Sequence, residues 1–293
     1  MPVPLDLARV VAASRLVHPF PSLLDGAVVA LIALVAGGGW LLALVLGLSM
    51  ACLQFAIGTL NDIVDAPADA GRKPGKPIPA GLVTVREAWL VTGVSAGLGL
   101  ILALVGGPWL LGLAAIVLAV GVVYDLWAKG TSLSWLPLAI GIPLLPLFGW
   151  FGASGSVPGL FLVLIPAAAN AGTALAIANA IVDIERDLDA GDRSIAVALG
   201  PDRASRLVLA LHGVVTVLAV ATAAVVGAPT GWVVAVLGAS LAPLGGAVLG
   251  LVAAIRPGHD LRELAWEVQA VGTGLLAVAW LGALSASVGI TGA

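Results

Sequence analysis

Apolar residues run through this chain in long unbroken stretches, such as VVALIALVAG (28–37) and LLALVLGLSMACL (41–53). Turn signals divide it into nine candidate spans: roughly 16–36, 40–64, 86–105, 109–125, 135–153, 157–183, 203–226, 230–255 and 264–288. Most approach the ~20 residues a helix needs to cross a bilayer. No stretch alternates polar with apolar, which excludes a membrane β-barrel. The pattern predicts an all-α polytopic membrane protein, with nine transmembrane helices in one bundle. Short uncharged links join alternate spans at Gly37–Gly39, Gly106–Pro108, Ser154–Gly159 and Gly227–Pro229. The other connections are longer and polar.

Composition agrees. Hydrophobic residues make up 60% of the chain and charged ones only 10%, far from soluble usage. A lone cysteine, Cys52, rules out an intrachain disulfide. The N-terminal segment MPVPLDLARVVAASR has no signal-peptide profile.

Charge placement tests the span count. All 13 Lys and Arg, from Arg9 to Arg262, fall on the side of the long connections. The positive-inside rule makes that side cytoplasmic and puts the N-terminus there. An odd number of spans puts the C-terminus on the opposite side. The acids follow the same side as the Lys and Arg, except Asp25, which falls inside the first span as parsed, so it either faces a cavity or marks a later helix start. Trp40, Trp89, Trp109, Trp127, Trp135 and Trp150 lie near span ends and are expected in the interfacial belts.

Two clusters stand out among the other acids. NDIVDAPAD (61–69) ends the second span, and helical spacing puts Asn61, Asp65 and Asp69 on one stripe with Asp62 a step round. Pro67 removes a hydrogen bond, which predicts an unwinding helix end at Asp69. NAIVDIERD (179–187) ends the sixth span and repeats Asn, Ile, Val, Asp and Asp in the same spacing. Four spans separate the copies, so both open on the same face. This predicts a parallel internal repeat of about four helices, with halves near 16–130 and 135–255 and a ninth helix at 264–288.

Facing carboxylates require a cation, and Asp and Asn oxygens suit Mg²⁺. His18, His212 and His259 have no metal-binding spacing and read as polar residues of span edges or the bundle. Bases follow the acids: Arg72, Lys73 and Lys76 in GRKPGKPIPAG, then Arg193, with Tyr124 to Lys129 (YDLWAK) between them on the same face. Acids for Mg²⁺ beside bases for phosphate oxygens point to a diphosphate ligand.

Together these motifs resemble the UbiA superfamily of intramembrane prenyltransferases. Its NDxxDxxxD motif is matched by Asn61, Asp62, Asp65 and Asp69, and its basic Pro-rich segment by Lys73 to Gly81. The second motif is matched by Asp183, Asp187 and Gly191, and the YDxxxK element by Tyr124, Asp125 and Lys129. Arg186 stands where relatives commonly carry glycine.

The resemblance implies a single transmembrane domain over 1–293, with a central cavity capped by cytoplasmic loops. Its implied metal ligands are Asn61, Asp65, Asp69, Asp183 and Asp187, holding Mg²⁺. Arg72, Lys73, Lys76, Lys129 and Arg193 would bind the diphosphate. Tyr124 and Lys129 are catalytic candidates, and Asp62, which does not recur in the second copy, is a candidate supporting group or base. The expected partners are an isoprenoid diphosphate, a lipophilic or aromatic acceptor such as a quinone precursor, and membrane lipids, but not nucleic acid. A glycerol-ether acceptor, a terpene cyclase and a phosphoribosyl-transferring relative share the fold. An ion-coupled transporter is disfavoured, because these acids lie at one membrane edge rather than at midplane.

Overall fold

Proline and glycine set many of the helix ends in the computed structural model, which describes residues 11–12, 14–71, 75–255 and 258–288. Helix α1 (Pro19–Val35) opens on a proline, whose missing N–H costs nothing in a first turn. Helix α2 (Trp40–Asp69) is followed by a polar loop, and α3 (Val85–Ala103) starts on a Thr84–Glu87 capping box. One 3₁₀ turn, Leu104–Gly106, separates α3 from α4 (Gly107–Val123), where Gly107 takes a φ of 75°. There follow α5 (Leu136–Ser154), α6 (Phe161–Val182) and two short helices, α7 (Ile184–Ala190) and α8 (Ile195–Leu199). The last three are α9 (Pro201–Val225), α10 (Thr230–Ile255) and α11 (His259–Val288). No strand occurs among the described residues.

Among the described residues, seven helical stretches are long and apolar enough to cross a membrane. One is the 44-residue run Val85–Ala128, which contains both α3 and α4, and α1 is a shorter apolar helix of 17 residues. These stretches and α1 overlap all nine expected spans, with the third and fourth falling within the single run Val85–Ala128. The physical reason is that the Gly106-Gly-Pro108 break makes only a 3₁₀ turn. Because α3 and α4 pack on each other, the chain does reverse there.

Small residues let the helices approach closely. A Cβ on Gly26 would lie 2.7 Å from the Gly47 carbonyl oxygen, and one on Gly47 would lie 2.7 Å from that of Gly26. The α1 and α2 backbones thus touch, as in small-residue packing of membrane helices. Helix α11 runs parallel to α1. Phe20 stacks edge-on against Trp266, and eight residues further on in each helix Val28 fills the space beside Gly274. Pro143, Pro146, Pro166 and Pro243 sit inside helices, which neighbouring helices make tolerable in a bundle.

Two large apolar clusters lie in the core, beside smaller ones around Ile177 and Leu16. One joins α2, α4 and α5 around Leu46, Met50, Leu110 and Phe148, and the other surrounds Trp150, Phe161, Leu276 and Leu281. Trp40, Trp89, Trp109 and Trp127 are exposed, as a belt requires. Trp150 departs from that expectation: it is buried at 1% exposure with its ring edge-on to Phe161, 5.8 Å between centroids. Its helix extends four residues beyond it, carrying the ring into the bundle rather than to its rim. Trp150→Ala is expected to destabilise the fold by about 3–5 kcal/mol, read as a lower thermal midpoint in detergent. An unchanged midpoint would show that the cluster is not a stabilising core.

Candidate functional site

The first motif lies on the last turns of α2, which stays helical through Pro67 to Asp69. The unwinding predicted at Asp69 is thus not observed. Pro67 falls two residues before the helix end, and the 6%-exposed Asp69 is its last residue. Asp62 points away from its motif partners into a buried ionic knot. Its Oδ1 accepts from Lys76 Nζ and lies 2.8 Å from His18 Nε2. His18 holds a left-handed φ of 46° against Gly58, where a Cβ would come within 3.1 Å of it. Asp62 thereby ties the chain before α1 and the loop after α2 to one point.

The YDLWAK element does not open a loop directly. Tyr124–Ala128 forms a π-helical turn, closed by the Lys129 N–H donating to the Tyr124 carbonyl at 3.0 Å. Such turns recur at functional sites because the extra residue re-aims side chains. This one presents Asp125 to Asn61, whose Nδ2 donates to Asp125 Oδ1 at 2.8 Å. It also presents Lys129, whose ammonium pairs with Asp65 Oδ2. The Tyr124 phenol lies within electrostatic reach of Asp65, Asp183 and Asp187, which come from both motifs.

The second motif is built differently. Helix α6 stops at Val182, Asp183 breaks the helix at φ −100° and ψ 11°, and α7 carries Glu185 to Asp187. The Ser194 hydroxyl donates to Asp187 Oδ2 at 2.9 Å. Burial pushes the Asp187 carboxyl above its ordinary range, while the Ser194 hydrogen bond and the Lys129 charge act in the opposite direction. Arg193 N–H donates to the Gly130 carbonyl at 3.0 Å, joining the segment after the second motif to the YDLWAK element. Arg186 pairs with Asp183 Oδ1 at 2.8 Å and meets His259 Nε2 at 2.5 Å. Arg262, 5% exposed, donates to both Glu185 oxygens at 2.7 and 2.6 Å, and this hydrogen bonding holds the carboxyl below its usual value.

Beneath these groups lies a cavity of about 270 Å³ with mainly apolar walls from α1, α2, α4, α5, α6, α9 and α11. Tyr124 stands in its wall, as do Trp266 and Trp280. Asp25 lines it as well, which decides between the two readings of that residue in favour of the cavity.

The structure thus gathers Asn61, Asp65, Tyr124 and Lys129 by direct contact or proximity, with Asp183 and Asp187 close enough to act on Tyr124 electrostatically. Lys76 is engaged with Asp62. Arg72 and Lys73 lie outside the described residues. Sequence reasoning did not single out the partnerships of Asp125, His18, Ser194 and Arg262. Asp125 carried a signal in its place directly after Tyr124. The other three are contacts between segments distant in sequence or across a turn, which linear spacing does not register. His259 also lies near Asp260 and Glu263, all three exposed.

A bundle of apolar helices, with two acid motifs at one end and an apolar cavity beneath them, defines an integral multi-pass membrane protein with an enclosed lipophilic site. A model of the UbiA prenyltransferase family matches residues 23–265, and the chain belongs to that family. It is 29% identical over 180 residues to the digeranylgeranylglyceryl phosphate synthase of Korarchaeum cryptofilum (strain OPF8). That match takes in 59% of this chain and spans 63% of the relative's length. Among solved structures, a UbiA homolog from Aeropyrum pernix K1 superposes with a TM-score of 0.70 at 21% identity, covering 87% of this chain and 96% of that one. A UbiA homolog from Archaeoglobus fulgidus bound to DMAPP and Mg²⁺ gives a TM-score of 0.62 at 19% identity, covering 90% and 98%.

Proposed function

We propose that this protein transfers a prenyl group from an isoprenoid diphosphate to an acceptor held in its membrane cavity, with Mg²⁺ as cofactor. The observation that carries this reading is the meeting of both acid motifs at Tyr124 and Lys129, directly above an apolar cavity. The relative's name as a prenyl-lipid synthase and the fold shared with a DMAPP- and Mg²⁺-bound homolog support it.

The donor set fits the metal. Hard carboxylate oxygens of Asp65, Asp69, Asp183 and Asp187, with the Asn61 amide oxygen, suit Mg²⁺. Lys129 on Asp65 and Arg186 on Asp183 supply cationic partners at this site. When bound, Mg²⁺ supplies Lewis-acid neutralisation of the diphosphate charge. Lys129 adds a fixed ammonium where charge develops on the leaving oxygen, Arg193 is a further phosphate-binding candidate, and Arg72 and Lys73 are proposed for the same role from the sequence alone. Asp125 orients Asn61 through its amide N–H, leaving the carbonyl oxygen as the amide's ligand atom. Asp62 anchors Lys76 and the loop over the site. The cavity walls offer the allylic cation apolar side chains rather than water.

Nine crossings, a cytoplasmic site, a C-terminus on the far side and a parallel repeat belong to the same proposal. Their support is the one-sided distribution of Lys and Arg and the match between NDIVDAPAD and NAIVDIERD. Our reading of the acceptor is an aromatic ring, since an electron-rich carbon can capture the cation and then lose a proton. The name of the Korarchaeum relative favours a second reading, a glycerol-ether acceptor for membrane lipid.

The test incubates purified protein with labelled prenyl diphosphates and acceptors of both classes. Diphosphate release is expected with Mg²⁺ and is lost on chelation with EDTA. It should be restored by added Mg²⁺. No consumption of any prenyl diphosphate with Mg²⁺ present would overturn the reading.

A further inference from the structure

The cavity wall contains a polar layer that the diphosphate chemistry does not use. Asp25 on α1 lines the cavity, and no other described group hydrogen-bonds or ion-pairs with it. Gln54 on α2 lines the same space, and among the described residues its amide makes only a long 4.0 Å contact to Met50 sulfur.

Packing contacts set the level of these residues. Gly26 of α1 abuts Ala51 of α2, while Gly58 of α2 abuts His18. The two helices run antiparallel, and Gln54 therefore falls within about one turn of Asp25. Helix α11 runs beside α1 in the register of Phe20 with Trp266 and Val28 with Gly274. That register puts Gln269 near the level of Asp25. His212, another cavity-wall residue, is joined to Gln269 at 3.2 Å. Asp25, Gln54 and His212 thus bring polar side chains from three helices to one layer of a largely apolar cavity, whose other polar lining includes Tyr124 and Thr273. Gln54 lies seven residues before Asn61, about 10 Å of helix rise. The layer is too deep for a diphosphate held at the motifs, yet a ring-sized acceptor reaching up to the prenyl carbon would span the distance.

A carboxyl group without a partner in such a site costs several kcal/mol unless a ligand satisfies it. A prenyl tail brings no hydrogen-bond donor. An acceptor hydroxyl does, whereas an acceptor carboxylate would have to share this apolar layer with a second carboxyl group and no cation. We propose that Asp25, with Gln54 beside it, forms the acceptor subsite, which takes a neutral hydroxyl group and rejects a carboxylate. This rests on the prenyl-transfer reading and narrows its acceptor to phenol- or alcohol-bearing molecules.

The test measures binding by calorimetry in detergent, with Mg²⁺ and unreactive dimethylallyl thiolodiphosphate preloaded. Hydroquinone and 4-hydroxybenzoate serve as a matched pair of probes, which differ by one hydroxyl against one carboxylate. Wild type should prefer hydroquinone. Asp25→Leu should weaken hydroquinone by about ten- to a hundredfold, the loss of a hydrogen bond to a charged group. Asp25→Asn, which keeps hydrogen bonding but removes the charge, should gain affinity for 4-hydroxybenzoate and narrow the preference. Both variants should bind the thiolodiphosphate as wild type does, which also reports that they are folded. Unchanged hydroquinone binding in Asp25→Leu, or a wild-type preference for 4-hydroxybenzoate, overturns the subsite while leaving prenyl transfer standing. Failure of wild type to bind the thiolodiphosphate overturns the prenyl-transfer reading and the subsite with it.

Discussion

Asp65→Ala is expected to lower the rate of prenyl-diphosphate turnover by about 10²–10³-fold, and Asp183→Ala by a similar factor. Each removes a carboxylate from a different motif, and both motifs act on Tyr124 and Lys129. Loss of either should therefore disable the site, because the other motif cannot complete the charge arrangement alone. Asp65→Ala has a second consequence: it strips Lys129 of its counter-ion in a half-buried setting. Initial rates of diphosphate release across a Mg²⁺ titration would check both variants. Near wild-type rates at saturating Mg²⁺ would remove these residues from the reaction.

Lys129→Ala should reduce turnover by about 10²-fold while leaving the thermal midpoint close to wild type. The π-helical turn is closed by the Lys129 backbone N–H, which alanine retains. What is lost is the ammonium that pairs with Asp65 and moderates Asp187. Measuring kcat and the thermal midpoint on the same preparation separates the two effects. A large fall in midpoint with little change in kcat would reassign Lys129 as a structural ion-pair residue.

Much of this was open to sequence reading because membranes impose strict rules. Apolar run length predicted the helices to within a few residues, as with 230–255, which matches Thr230–Ile255. Spacing brought out Asn61, Asp65 and Asp69 as one stripe, since helix periodicity follows from backbone geometry alone. Periodicity could not foresee that the two similar motifs adopt different local structures. The first stays helical to Asp69, whereas the second breaks at Asp183. Trp150 was misplaced for a related reason: hydropathy measures distance along the chain, and burial depends on which neighbours surround the ring.

The sequence by itself determined the helical membrane class, the two acid motifs and the family they resemble. These follow from composition, period and spacing, which are local properties. Only the tertiary structure decided that Asp62 is held by His18 and Lys76, that Asp125 orients Asn61, and that Asp25 lines the cavity. Each depends on side chains from separate helices arriving at one point, and helix packing decides that through shape and close approach.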